Sequence, residues 1–592
     1  MVRVVTDEKG GLRIEAAAYA LTFSAGRTYA TVTDAAGVQW AELFLAGSLH
    51  TDRGMDDTAL LKAPVITTAG DTVTVTVPAV SSRWASREMR LVCCDEDFRA
   101  SIRVEGEGRI GDCHLFGGYY SGNVRAGVGP FRSGRRFEAL FNPEPTRPER
   151  RVVPAAEPAV LDVFGTAGPG QGHWFFTPPP FCYAVRVAAP EAAESGAGFE
   201  GGAGPWMTMG LAVQPGAYQF AGFHYDGCEE AFSLRLTYEE QTVVAGAFET
   251  PAVLFQFGAP DPYTGIARYR ERLEGLGLVP ADATDLDRPS WWHEPIFCGW
   301  GAQCCLSNAG AGPAPALATQ ANYDRFLAEL EAQGLAPGIV VIDDKWAAHY
   351  GTSEVDTVKW PDLKGWIAGR HAAGQKVLLW WKAWDPDGLP PEQCVRNAAG
   401  ISVAADPTNP VYVETLRAAV SLMLGPDGYD ADGFKIDFTA RTPGGPGLTK
   451  HGAEWGVEML HLLLDVLYKA AKQVKPDALI ITHTPNPYFA DVTDMIRLND
   501  INTGAPVVPQ MLHRASVAQA ACPSRLIDTD NWPMPNRASW RSFLAVQEDL
   551  GVPSLYFTTH VDSLEPLEAE DYEGLRRLWS RVRATNGRGV NG

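Results

Sequence analysis

Lys435 and Asp437 stand two residues apart in Asp432-Gly433-Phe434-Lys435-Ile436-Asp437-Phe438. Gly433, Phe434 and Ile436 suit a short buried strand, and residues i and i+2 of a strand project to one face. The two charges therefore point together. Burying charge costs free energy unless the charge is paired or used. The pair reads either as a salt bridge at a strand end or as a catalytic carboxylate with a lysine beside it. Other polar residues sit in equivalent places, at the ends of apolar runs. Asp343, Asp344 and Trp346 follow Gly338 to Ile342, and Trp381, Lys382 and Trp384 close Lys376 to Lys382. His483, Arg497 with Asp500, Asp528 with Asp530, and His560 close four further runs. Singly, each is an ordinary turn former, helix cap or hydrogen-bonding group. Together they describe one acidic, aromatic-lined pocket. Two chemistries fit it: cleavage of a glycosidic bond between two carboxylates, and divalent-metal catalysis on Asp and His ligands. The histidines are scattered rather than clustered, which favours the first.

The elements that must bring these residues together are legible in the periodicity. From about residue 290, apolar runs alternate with amphipathic helices, the pattern of a parallel sheet with helical crossovers. The runs are 296–300, 338–342, 376–382, 432–438, 478–483, 495–500, 525–530 and 554–560. The spacing predicts helices at about 363–373, 413–424 and 454–474, and a last one presenting Tyr572, Leu575, Leu578, Trp579 and Val582. Eight strand–helix units in some 300 residues is the arithmetic of a (β/α)8 TIM barrel, whose active sites form where strands end. The part before it, residues 1–287, alternates with period two, as in Asp71 to Val77, Phe98 to Val104 and Ala231 to Tyr238. Glycine-rich punctuation, as at Gly168 to Gly172 and Gly196 to Gly204, separates the runs. An N-terminal antiparallel β-sandwich is expected, then the barrel over 288–592. Phe116-Gly117-Gly118-Tyr119-Tyr120 reads as a loop.

A net charge of −21 disfavours nucleic acid and anionic membranes as partners. No apolar run is long enough to span a bilayer. The N-terminus lacks the apolar stretch of a signal peptide. The ten cysteines include adjacent pairs, Cys93-Cys94 and Cys304-Cys305, and show no C-x-x-C metal spacing. They read as reduced thiols of a cytoplasmic protein, and no cofactor or metal is expected.

Val341 to Trp346, Asp356, Lys359 to Lys364 and Gly374 to Trp381 resemble the strand-two to strand-three region of family 36 α-galactosidases. Gly433 to Asp437 is similar to the Lys-x-Asp nucleophile motif of that family and of the related family 31. The resemblance covers about residues 290–560. It implies a retaining α-glycoside hydrolase, with α-galactosidase first and α-glucosidase-like specificity next. Asp437 would be the nucleophile and Asp500 the general acid/base, with Asp528 and Asp530 as competitors. Asp343, Asp344, Trp346, Trp381, Lys382, Lys435, Arg497 and Asp530 would bind the substrate, with Trp346 and Trp381 as walls. Lys435 would bind a hydroxyl and keep Asp437 ionised. The partner implied is an oligosaccharide or small α-glycoside, with self-association also possible. Two residues depart from the family pattern: Lys345 stands where glycine is usual, and Lys382 where strand three usually ends in an acid. A sugar-binding protein without catalysis is the alternative on the same scaffold.

Overall fold

The computed structural model describes residues 1–592 apart from 7, 9, 123–129, 144–151, 155–158, 163–177, 188–203, 282–287 and 590–592. The two glycine-rich stretches named above fall almost wholly outside the described residues, and so does the expected domain boundary.

The first part is β structure. Twenty-one strands, counted among the described residues, form one hydrogen-bonded sheet that folds back on itself around a common core. Its register follows the alternation in the sequence. Along Thr72–Ser81 the valines at 73, 75 and 77 are buried, while the threonines between them are half-buried. Two long strands, Asp97–Leu115 and Ala231–Glu249, pair antiparallel over most of their length and tie the layers together. The Phe116 to Tyr120 segment is not a loop. Gly117–Tyr120 is a strand, paired with Pro130–Arg135 on one side and Asp57–Leu61 on the other. Gly118 has φ +146° and lies against Ser48 and Gly47, where a side chain has no room. The two glycines that suggested a loop are what let neighbouring chains approach.

The second part is the expected barrel. Its eight parallel strands, named here strands one to eight, are Ile296–Cys298, Ile339–Ile342, Lys376–Lys382, Gly433–Asp437, Leu479–Thr482, Met495–Arg497, Leu526–Asp528 and Ser554–Leu555. They pair in chain order, and strand eight returns to strand one through Ile296 and Ser554. A single parallel bridge, Asp528 to Val552, closes the remaining gap. The sixth to eighth strands are shorter than their apolar runs, because the residues at their C-terminal ends leave the ladder for the loops at that end of the barrel. Gly433 opens strand four at φ +152° with its α-carbon against the Leu479 carbonyl of strand five, so any side chain there would strike backbone. Helix Val457–Val474 buries Met459, Leu463, Leu467 and Ala470 on one stripe. Truncating one such leucine to alanine costs about 2–5 kcal/mol.

The two parts are locked together through loops that follow the barrel strands. The Gly445 N–H donates to Glu239 (2.8 Å), and the Val213 N–H to the Tyr488 hydroxyl (2.8 Å). Val457 and Glu458, at the start of their helix, bond Phe220 and Tyr218. The β part thus fixes the segments that follow strands four and five.

Candidate active site

Strand four delivers Lys435 and Asp437 to the same end of the barrel, as alternation requires, but to different partners. Lys435 Nζ lies 2.7 Å from Asp343 Oδ2, and both side chains are 3% exposed. The Cys298 thiol donates to the same oxygen at 3.0 Å, and the Tyr323 hydroxyl accepts from the Asp343 backbone N–H at 2.8 Å. Burial alone would lower the lysine's pKa, but the Asp343 charge overrides it and holds Lys435 protonated. The lysine expected beside Asp437 is therefore a closed ion pair with strand two. Its charge still reaches Asp437 through space, behind that of Arg497.

The direct cation on Asp437 is Arg497, from strand six. One terminal nitrogen, Nη2, is 3.3 Å from Asp437 Oδ1, while Nη1 is 3.0 Å from Asp500 Oδ1 and 2.6 Å from Asp530 Oδ2. Arg497 is 2% exposed, Asp437 23% and Asp500 39%, so the two carboxylates open towards solvent from a buried guanidinium. Asn499 also accepts from Nη2 at 3.0 Å. Asp500 is placed by its backbone: the Arg514 guanidinium, from helix Val507–Ala521, binds the carbonyls of Leu498, Asn499 and Asp500. Asp437 receives two more hydrogen bonds, from the Phe438 N–H (2.8 Å) and the Trp380 indole (3.2 Å).

These surroundings drive the two carboxyls apart. Burial would raise Asp437, but Arg497, then His483 and Lys435, hold it well below the ordinary carboxylate range. For Asp500, burial outweighs the pull of Arg497, and the nearby Asp437 and Asp530 charges add to it, pushing it up to about 6. One member is an anion at neutral pH, and the other holds a proton in mildly acidic solution. His483, which closes strand five, is buried and lowered to about 4, first by burial and then by Arg497. It is neutral, bonded to the Thr439 hydroxyl.

The competing acids on strand seven are used otherwise. Asp530 is fully buried, accepts from the backbone N–H groups of Asn531 and Trp532, and pairs with Arg497. Asp528 accepts from Ser554 and the Asp530 N–H.

Asp344 is the more open member of its pair. Its carboxyl accepts from the Tyr350 hydroxyl at 2.7 Å. Burial, with help from Asp343, raises it to about 6 against that hydrogen bond. Lys382 is ion-paired to Asp385 at 2.7 Å. The walls differ from expectation. Trp346 is 2% exposed and turns its indole N–H onto the Trp380 carbonyl (2.8 Å). Of the two tryptophans on strand three, Trp380 reaches Asp437, and alternation sends Trp381 to the other face. The adjacent Trp380-Trp381 pair gave no hint of which faced inward, though the parity with Lys382 could have. Tyr350 and Cys298 were also missed, since neither carries a motif. Among the described residues no three His, Cys, Asp or Glu side chains converge to hold a metal ion.

No family model and no curated protein matches this sequence. Solved structures share its fold. An α-galactosidase from Lactobacillus brevis superposes with a TM-score of 0.53 at 12% identity, over 98% of this chain and 84% of that one. A family 31 sulfoquinovosidase from E. rectale, solved with an aza-sugar inhibitor, gives 0.55 at 10% identity, over 99% and 83%. The Thermus thermophilus α-galactosidase in complex with p-nitrophenyl α-D-galactopyranoside gives 0.50 at 16% identity, over 90% and 94%. The shared fold therefore spans both parts of the chain, β-rich and barrel.

Proposed function

We propose that the protein is a retaining α-glycoside hydrolase of α-galactosidase type, with Asp437 as nucleophile and Asp500 as general acid/base. The observation that carries this reading is the sharing of Arg497. Two carboxylates open to solvent are held by the two ends of one guanidinium, with their proton affinities driven in opposite directions. Double displacement needs this division of labour. Asp437, ionised, attacks the anomeric carbon while Asp500 gives its proton to the leaving oxygen. A covalent glycosyl-enzyme forms, and Asp500, now a carboxylate, takes a proton from the water that releases the sugar. The Phe438 N–H and Trp380 indole orient the Asp437 carboxylate for attack. Arg497 supports the anion without protonating it, since an arginine keeps its charge in proteins. Asp344, half-open beside this pair, is the group to accept hydrogen bonds from sugar hydroxyls, and Asp343 with Lys435 is the floor that holds it.

The family resemblance of the sequence supports the α-galactosidase type, and the folds shared with α-galactosidases and with the family 31 sulfoquinovosidase support the wider class of α-glycoside hydrolases. No disulfide joins the cysteines among the described residues, which supports residence in a reducing compartment such as the cytoplasm. The test is a panel of aryl α-galactoside, α-glucoside and α-N-acetylgalactosaminide substrates. Turnover fastest on the galactoside, with net retention at the anomeric carbon by NMR, is the expected result. Inversion, or binding without turnover across the panel, would sink the reading.

A further inference from the structure

Lys345 and Lys382, the two residues that depart from the family pattern, come together on one aromatic ring. Lys345 Nζ lies 4.2 Å from the Tyr350 ring centroid, and Lys382 Nζ lies 4.0 Å from it. Each ammonium is also held from below by the strand-three loop, Lys345 by Asp387 (3.4 Å) and Lys382 by Asp385 (2.7 Å). The same loop grips the Tyr350 backbone. The Tyr350 N–H donates to Asp387 Oδ2 at 3.3 Å, and the Gly351 N–H to the Asp387 carbonyl at 2.8 Å. The ring stands edge-on to Trp380, centroids 5.9 Å apart. Tyr350 thus has its main chain, its ring and its hydroxyl all fixed. The hydroxyl ends on Asp344 and the ring on the indole that donates to Asp437.

We infer that Tyr350 is a positioning residue, clamped by Lys345 and Lys382, which aims the Asp344 carboxylate at the sugar and seats Trp380 under Asp437. This rests on the glycosidase reading above. Two cations over one ring are mutually repulsive, and each lysine's own carboxylate offsets that repulsion. Attraction between an ammonium and an aromatic face is worth about 0.5–2 kcal/mol, more where water is excluded. Two such contacts suffice to hold one rotamer. The lysines are then internal braces, each already neutralised, rather than receptors for an anionic sugar.

The charged and titratable groups that face Asp344 are Asp343 on its own strand end, Lys382 on strand three, Asp437 on strand four, Tyr350 in its own loop and Lys359 beyond it. Of these, Tyr350 alone bonds its carboxyl. Ionised Asp344 is the form that burial disfavours, so the native state loses stability as pH rises through about 6, and the phenol hydrogen bond reduces that loss. Removing the hydroxyl moves the Asp344 titration upward.

The test compares the wild type with Tyr350→Phe, Asp344→Asn and the double variant. In Tyr350→Phe the acid limb of kcat/KM for an aryl α-galactoside should move up by about one pH unit, a tenfold rise in KM at pH 5. The alkaline limb, set by Asp500, should stay in place, with kcat within about twofold at the optimum. Independently of turnover, the melting-temperature deficit of Tyr350→Phe should widen from pH 5 to pH 8 and vanish in the Asp344→Asn background. Lys382→Met should reproduce part of the KM effect. A wild type active on α-galactosides whose acid limb is unmoved in Tyr350→Phe would overturn this inference and leave the glycosidase reading standing. A deficit independent of pH and of Asp344 would reduce Tyr350 to loop packing, and would do so even in a protein with no turnover.

Discussion

Lys435 and Arg497 are both buried cations at the C-terminal ends of the barrel strands, and they are treated differently. Lys435 has one carboxylate, Asp343, and both are sealed at 3% exposure. Arg497 serves three carboxylates, two of which open to solvent. The first arrangement is balanced: one charge meets one charge, and thiol and backbone partners complete the pair. The second is short of positive charge. Three acids around one guanidinium do not all ionise easily, and the strain falls on Asp500, which holds its proton up to about pH 6. A balanced pair does structural work, and an unbalanced cluster sets proton affinities apart, which is what acid–base chemistry requires.

Breaking each arrangement should give opposite signatures. The largest effect is expected at the unbalanced one. Asp437→Asn should lower kcat by on the order of 10⁴-fold while leaving sugar binding and melting temperature nearly intact. Steady-state turnover with calorimetric binding checks both halves, and undiminished turnover would remove Asp437 from the chemistry. At the balanced pair the loss should instead be one of stability. Lys435→Met leaves Asp343 buried and unpaired, at a cost of about 3–5 kcal/mol by denaturant titration. Replacing both partners together, Lys435→Met with Asp343→Leu, should recover much of that cost; failure to recover it would show that the pair is not the closed unit its geometry describes.

Asp500→Asn should reduce turnover by about 10²–10⁴-fold on substrates with poor leaving groups and less on activated aryl glycosides, which need little proton assistance. Equal losses on both would argue against a general acid. A pH profile sharpens the same point. Asp500 is raised to about 6, so its protonated form, the one a general acid needs, is lost as pH rises through that value. The kcat/KM of the wild type should fall on the alkaline side near pH 6, and that limb should be absent in Asp500→Asn. The smallest effect is expected at Trp380→Phe, which removes one hydrogen bond from Asp437 and should cost about tenfold in kcat.

The contrast between the two cations was only half visible in the sequence. Alternation along strand four was enough to place Lys435 and Asp437 together, and strand counting placed them at the barrel's working end. Which carboxylate each cation would take was not legible. It depends on how far each strand stands from its neighbours and how each loop leaves the sheet, which period-two patterning does not encode. Arg497 was named for binding but not as the bridge between the two acids, because its reach across strands four, six and seven is a three-dimensional fact. The tryptophans show the same limit. Trp380 and Trp381 are adjacent and chemically identical, and only strand parity distinguishes the one on Asp437. The eight apolar runs were clear throughout, and Gly117 and Gly118 misled because close packing and flexibility call for the same residue.

The contacts from Glu239 to Gly445 and from Val213 to Tyr488 bear on how the chain can be re-engineered. They make the β part a template on which two loops at the mouth of the barrel are cast. A barrel cut free of it should keep its eight strands yet lose the shape of its mouth. A different sandwich grafted in front of the barrel would not restore that shape unless it carried an acceptor at the place of Glu239 and a backbone donor at the place of Val213. The unit of exchange between such proteins is therefore the whole chain.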